Sequence, residues 1–137
     1  MHVMVLPIRY SVLRMDTKSI KPAPIKPTIT FDDLSKIDIR VGTITCVENI
    51  ETSDKLVRLT VNFGDHERKI LVGMKIEREN PKAEIEGKQA LFVLNLEPKK
   101  MMGELSEGML FDIGYSDKIT PVLLMPEKPI PNGTRAG

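Results

Sequence analysis

Ile37-Asp-Ile-Arg-Val-Gly-Thr-Ile-Thr-Cys46 is the stretch whose pattern decides the fold. Ile37, Ile39 and Val41 alternate with Asp38 and Arg40, the period of two that belongs to a half-buried strand. Beyond Gly42 the apolar parity shifts to Ile44 and Cys46. A parity change at a glycine inside a strand predicts a bulge that bends it sharply. Long, bent first strands are what small closed barrels need, since a sheet must turn corners to close on itself.

Upstream, Thr30-Phe-Asp-Asp-Leu-Ser-Lys-Ile37 reads as one or two helical turns. Thr30 suits an N-cap, Asp32 and Asp33 lie where the helix dipole favours negative charge, and Phe31, Leu34 and Ile37 recur at three-residue spacing. Downstream, a turn at Thr52-Ser53-Asp54 leads to a second strand in which Val57, Leu59, Val61 and Phe63 alternate with Arg58, Thr60 and Asn62. Gly64-Asp65-His66 then marks a hairpin into Arg68-Lys-Ile-Leu-Val-Gly73, completing a three-strand meander. Residues 75 to 87 are highly charged and broken by Pro81, so they form a connector with a helical turn. Ala90–Leu96 is an apolar run buried on both faces, Met109–Ile113 a fifth strand and Val122–Met125 a short sixth. The fold class is therefore all-β: a partly open, five-stranded Greek-key barrel of the OB type, with short flanking helices and an N-terminal extension. On pattern alone, an SH3-like barrel is the competing architecture.

The chain has 137 residues, 41% of them apolar, enough for one domain with a real core. Its 20 Lys and Arg against 19 Asp and Glu give a net charge of +1, which argues against holding nucleic acid by bulk charge. The balance is uneven, however. Residues 1–29 carry five bases against Asp16 alone, a net +4, and residues 30–137 hold 15 bases and 18 acids, a net of minus 3. The expected division is thus a basic, Pro-containing arm over 1–29 and a domain over 30–137. In the arm, Lys21-Pro-Ala-Pro-Ile-Lys-Pro27 favours extended polyproline geometry. The apolar start of the chain is interrupted by Pro7 and Arg9 and lacks a small-residue cleavage site, so neither a secretory signal nor a membrane span is expected. Met15 is an alternative start. One cysteine, Cys46, excludes an internal disulfide, and no Cys/His cluster offers metal ligands; the expected compartment is the cytoplasm, with no metal and no cofactor.

Catalytic signatures are missing from the sequence. His2 lies in the arm, His66 reads as a solvated turn residue, and no glycine-rich phosphate loop, H-E-x-x-H, G-x-S-x-G or C-x-x-C occurs. Cys46 falls at an apolar strand position and reads as a buried structural thiol, and Asn132-Gly-Thr134 reads as a turn. Enzyme activity is not expected. The informative block is Asn95-Leu-Glu-Pro-Lys-Lys-Met-Met-Gly-Glu-Leu-Ser-Glu-Gly-Met109. Pro98 ends the preceding strand and projects Lys99, Lys100, Met101 and Met102 into an exposed loop, offering phosphate contacts beside flexible apolar surface. Ser106, Gly108 and Met109 then place a hydroxyl, an approachable backbone and a thioether close together. A surface hairpin with solvated lysines and core-filling methionines is the plain structural reading of the same block.

Lys36-Ile-Asp-Ile-Arg-Val-Gly-Thr-Ile44, Ser53-Asp-Lys-Leu56, Val61-Asn-Phe-Gly64 and the Asn95–Met109 block resemble, in order and spacing, the tRNA-binding OB domain. That domain occurs at the C-terminus of methionyl-tRNA synthetases, in stand-alone structure-specific tRNA-binding proteins and in endothelial monocyte-activating polypeptide II. The likeness covers about residues 30–137. It implies binding of the tRNA body by shape and backbone contacts, without catalysis, and names Lys55, Ser106 and Met109 as residues that bear on RNA binding. Arg40, Lys99 and Lys100 are added on charge and position. Few aromatics are available for base stacking, so affinity is expected to be moderate and steeply salt-dependent. The resemblance further implies a homodimer, built from the N-terminal helix and the segment Pro121–Gly137, and leaves an aminoacyl-tRNA synthetase as a further partner. A chaperone-like branch of the same fold, which binds unfolded polypeptide, is the competing reading.

Overall fold

Strand β1 (Ile39–Asn49) organises the computed structural model, which describes residues 21–137. The start of the basic arm, with Arg9, Arg14, Lys18 and the candidate start Met15, lies outside the described residues. Residues 21–29 are exposed and belong to no helix or strand. Helix α1 (Phe31–Ser35) follows, capped as its sequence dictates: the Thr30 hydroxyl accepts from the Asp33 N–H at 3.1 Å, and the Asp33 carboxylate accepts from the Thr30 N–H at 3.5 Å.

Five antiparallel strands form the barrel sheet in the order β3 (Glu67–Val72), β2 (Val57–Asn62), β1, β4 (Gln89–Val93) and β7 (Met109–Leu110). The hairpin β5 (Lys99–Met101) and β6 (Glu104–Ser106), and the pair β8 (Asp112–Ile113) and β9 (Val122–Leu123), are separate two-stranded ribbons. A one-turn 3₁₀ segment (Met74–Ile76) and helix α2 (Pro81–Ile85) connect β3 to β4. A curved antiparallel sheet of this order, with a helical connector between its third and fourth strands, is the OB-fold barrel. Its core is built from Ile44, Val47, Leu59, Val61, Phe63, Ile70, Met74, Ile85, Phe92 and their neighbours.

The bend in β1 is present, but its bulge lies between Ile44 and Cys46, not at Gly42. Thr45 is the extra residue, and it sends Val47 rather than Cys46 into the core; Cys46 is half-buried. Gly42 serves a different purpose. A Cβ there would meet Val61 Cγ1 at 2.5 Å and the Phe63 ring at 2.7 Å, so glycine lets β1 approach the core side chains. The N-terminal half of β1 pairs with β4 and its C-terminal half with β2. The edge left over is taken by the chain's own C-terminal segment, in which Val41 N–H donates to Thr134 O at 2.9 Å and Gly133 N–H to Val41 O at 2.8 Å.

The expected single fifth strand is divided at Phe111, whose N–H donates to Leu91 O at 2.9 Å before the chain leaves β4 to form β8. The barrel seam, between β3 and the β6–β7 segment, is closed by few bonds. Glu107 N–H donates to Lys69 O at 2.9 Å, Lys69 N–H to the Glu107 carboxylate at 2.9 Å, and Leu71 N–H to Ser106 Oγ at 3.0 Å.

Candidate nucleic-acid interface

Lys55 ends a tight turn between β1 and β2 whose shape comes from local hydrogen bonds. Ser53 Oγ accepts from the backbone N–H groups of Lys55 and Leu56 at 3.2 and 3.0 Å. The turn is then pinned from the 3₁₀ segment: Lys75 Nζ donates to Ile50 O at 2.6 Å and to Ser53 O, and Lys75 N–H donates to Lys55 O at 3.1 Å. The Lys55 side chain itself is exposed. Below it, Ile50, Leu56 and Leu71 form a small apolar cluster on the outside of the barrel.

The β5–β6 hairpin lies against that cluster. Met101 packs on Ile50, Leu56 and Leu71, and Glu104, its partner across the hairpin, forms an ion pair with Arg58 of β2. Arg58 also meets Glu48 at 3.3 Å, and its guanidinium holds the Glu48 carboxyl below its ordinary range through that hydrogen bond. The expected exposed loop is thus an ordered hairpin, and Lys99 and Lys100 are exposed along its first strand. Through Met101 the hairpin that carries Lys99 and Lys100 lies beside Leu56, the neighbour of Lys55, at one end of the β2–β3 face, with Lys99 and Lys100 on opposite sides of the hairpin strand. The β2–β3 face is the strand face with flanking loops on which OB barrels bind oligonucleotides.

Ser106 is 4% exposed, and its hydroxyl donates to Gly108 O at 3.2 Å while accepting from Leu71 N–H. It closes the seam beneath Lys99, its register partner. Gly108 completes the close approach, because a Cβ there would sit 3.0 Å from Val93 O. Ser106→Ala strips the acceptor from a buried N–H, so it is expected to lower stability by about 1–2 kcal/mol. Urea unfolding checks this, and an unchanged midpoint would show that the seam does not depend on the hydroxyl.

Arg40 and Met109 are placed elsewhere. Ile39, Val93 and Met109 share one row across β1, β4 and β7, with Arg40 next to it. Arg40 and Asp38 feel the charges of Asp65 and Arg68, at the β2–β3 turn, whereas Lys55 precedes the opposite end of β2, roughly 20 Å along a strand of this length. Arg40 is also committed: its Nε and Nη2 donate to the Asp38 carboxylate at 2.8 and 3.1 Å, which holds that carboxyl below its usual range. Met109 is 45% exposed.

Lys69 is a basic residue that the sequence reading did not single out. It is exposed on the β2–β3 face, where its ammonium donates to Thr60 Oγ1 at 2.7 Å, a neutral partner that leaves the charge in place. The alternation of Lys69 with the core residue Ile70 was the signal for it. Lys75 was also missed, because its role depends on carbonyl groups 22 and 25 residues away. Asn95 has a structural part: its side chain joins Asp38 N–H, at 2.9 Å, to Lys36 O, at 2.6 Å.

An OB barrel with basic side chains gathered on its strand 2–3 face has the make-up of an oligonucleotide-binding domain. Residues 39–135 match the family described as "Putative tRNA binding domain", and the chain belongs to that family. Among solved structures, it is similar to a MetRS-related protein from Pyrococcus horikoshii, at 34% identity and a TM-score of 0.74 over 82% of this chain and all of that one. It is similar also to the CsaA chaperone protein of Picrophilus torridus, at 29% identity and a TM-score of 0.68 over 80% of this chain and all of that one. The C-terminal domain of Plasmodium vivax p43 is 29% identical, with a TM-score of 0.66 over 77% of this chain and 62% of that one. Among the described residues, no helix is long and apolar enough to cross a membrane.

Proposed function

We propose that the chain is a non-catalytic, cytoplasmic tRNA-binding protein that holds the tRNA body by shape and backbone contacts. The observation that carries this reading is the packing of the β5–β6 hairpin, through Met101, on the cluster beside the β1–β2 turn, which sets the exposed Lys55, Lys99 and Lys100 in neighbouring segments at one end of the β2–β3 face. Lys69 extends the same face. Ser106 acts from beneath as a seam residue, and Arg40 and Met109 form a second, separate contact region. Likeness to a MetRS-related protein supports an aminoacyl-tRNA synthetase as the process this binding assists.

The competing reading, capture of unfolded polypeptide, draws on the likeness to a CsaA chaperone and on the apolar hairpin residues Met102 and Leu105, both more than half exposed. Titrating the protein with tRNA and with an unfolded polypeptide at several salt concentrations separates the two. Tight tRNA binding that falls linearly in log K with log salt supports the RNA reading. Polypeptide binding tighter than tRNA binding at low salt overturns it.

The same proposal includes a homodimer. Helix α1 has only five residues and buries none of them, leaving Phe31 80% and Leu34 54% exposed, and Ile37 just beyond it is 49% exposed. So short a helix needs an apolar surface to pack on, and the matching face of a second copy supplies one. Within the segment Pro121–Gly137, residues 133–136 bond to their own barrel, and Val122, Met125 and Ile130 are the exposed apolar residues that join α1 in the interface. Sedimentation at micromolar concentration is expected to give twice the chain mass; a monomer refutes it.

A further inference from the structure

The β5–β6 hairpin turns in two residues, Met102 and Gly103, with φ of 51° and 79°. Positive φ at both central positions is the pattern of a type I′ turn, which suits the twist of the flanking strands. Its first position favours asparagine, aspartate or glycine; a long unbranched side chain there is held in a left-handed conformation that crowds its Cβ. Met102 therefore strains the tightest point of the hairpin, and packing does not explain it. Its side chain is 56% exposed, whereas its neighbour Met101 is the one seated on Ile50, Leu56 and Leu71. Leu105 is 52% exposed as well, and its register partner is the exposed Lys100. The hairpin thus carries an apolar tip directly beyond two exposed lysines. Sites that hold a strained residue in an exposed position are commonly sites of contact.

We propose that Met102 is a base-contacting wedge: its thioether seats against an unstacked or unpaired RNA base while Lys99 and Lys100 hold the flanking phosphates. This rests on the RNA-binding reading of the same face and specifies what that face selects. Lysines alone accept any phosphate surface. A polarizable apolar tip gains only where a base face is open, and in continuous A-form duplex the base faces are covered by stacking. Among RNAs of similar charge, the hairpin selects those that expose a base.

The test uses the full chain, an unmodified tRNA transcript, a short blunt-ended RNA duplex, and the variants Met102→Asn and Met102→Leu. Asparagine fits the turn and removes the wedge, so stability and binding should move in opposite directions. Met102→Asn is expected to melt a few degrees higher, to bind tRNA about 5- to 10-fold more weakly, and to keep both the salt slope and the duplex affinity of the unaltered protein. Met102→Leu keeps the apolar tip and is expected to bind tRNA within about 2-fold of the original. If Met102→Asn binds tRNA as well as the unaltered protein, or loses affinity equally for duplex, the wedge is refuted while the RNA-binding reading stands. If the unaltered protein shows no salt-dependent tRNA binding, both fall together.

Discussion

Gly42→Ala is expected to destabilise the barrel by about 3 kcal/mol, at the upper end of what overpacking a core costs. The added methyl carbon would lie 2.5 Å from Val61 Cγ1 and 2.7 and 2.9 Å from two carbons of the Phe63 ring, inside any real van der Waals contact. Neither neighbour has room to withdraw. Val61 is fully buried, and Phe63 is 2% exposed and packs edge-on against Phe92 with ring centroids 5.5 Å apart. The alternative response is for β1 to lift from β4, which strains the register of Gly42 with Ala90. Calorimetry at fixed protein concentration should show the melting temperature falling by roughly 10 °C. Gly73→Ala is the control, since a Cβ there meets nothing within 4 Å. A loss at Gly42 no larger than at Gly73 would mean that the core relaxes around the methyl group.

That glycine also shows where sequence reading reaches its limit. The parity shift after Val41 was legible, and with it the bent first strand and the barrel. A pattern of apolar residues does not distinguish a glycine kept for a bulge from one kept for close approach, and here the bulge falls at Thr45. With the extra residue at Thr45, the core position expected for Cys46 is taken by Val47. The division of the fifth strand at Phe111 was hidden for a similar reason: both halves are apolar, and only the pairing of Asp112 and Ile113 with β9 separates them. At the candidate site, Lys99 and Lys100 stand out in the sequence because charge following a strand-ending proline is a local property, whereas Lys55 is named only through the family resemblance; all three are exposed. Ser106 was legible as a feature but not as a seam, since its hydrogen-bond partner, Leu71, lies 35 residues away in the neighbouring strand. Nor does alternation reveal that Arg40 points to an acid of its own chain.

Replacing Lys55, Lys99 and Lys100 together by alanine is expected to weaken tRNA binding about 100-fold at low salt, three charge-assisted contacts of roughly 1 kcal/mol each. The three differ from other cations of the molecule in what surrounds them. Arg58 faces Glu48 and Glu104, Arg40 faces Asp38, Arg78 faces Glu84 and Lys82 faces Glu86, so much of their charge is spent within the chain. Lys55, Lys99 and Lys100 lie in exposed segments, and removing them leaves the Ile50, Leu56, Leu71 and Met101 cluster that positions them untouched. The slope of log K against log salt should therefore fall by about 2 to 3, one counterion-release increment for each phosphate no longer neutralised, with melting temperature nearly unchanged. Lowering the charge of an already acidic domain by three also repels RNA in general. A control variant lacking Lys82, Lys88 and Lys118, none of them in the β1–β2 turn or the hairpin, carries the same net charge and isolates that effect. Its slope should stay close to that of the unaltered protein. Equal losses in the two variants would return the interaction to bulk electrostatics, and the placement of these three lysines in the turn and the neighbouring hairpin would then have no part in recognition.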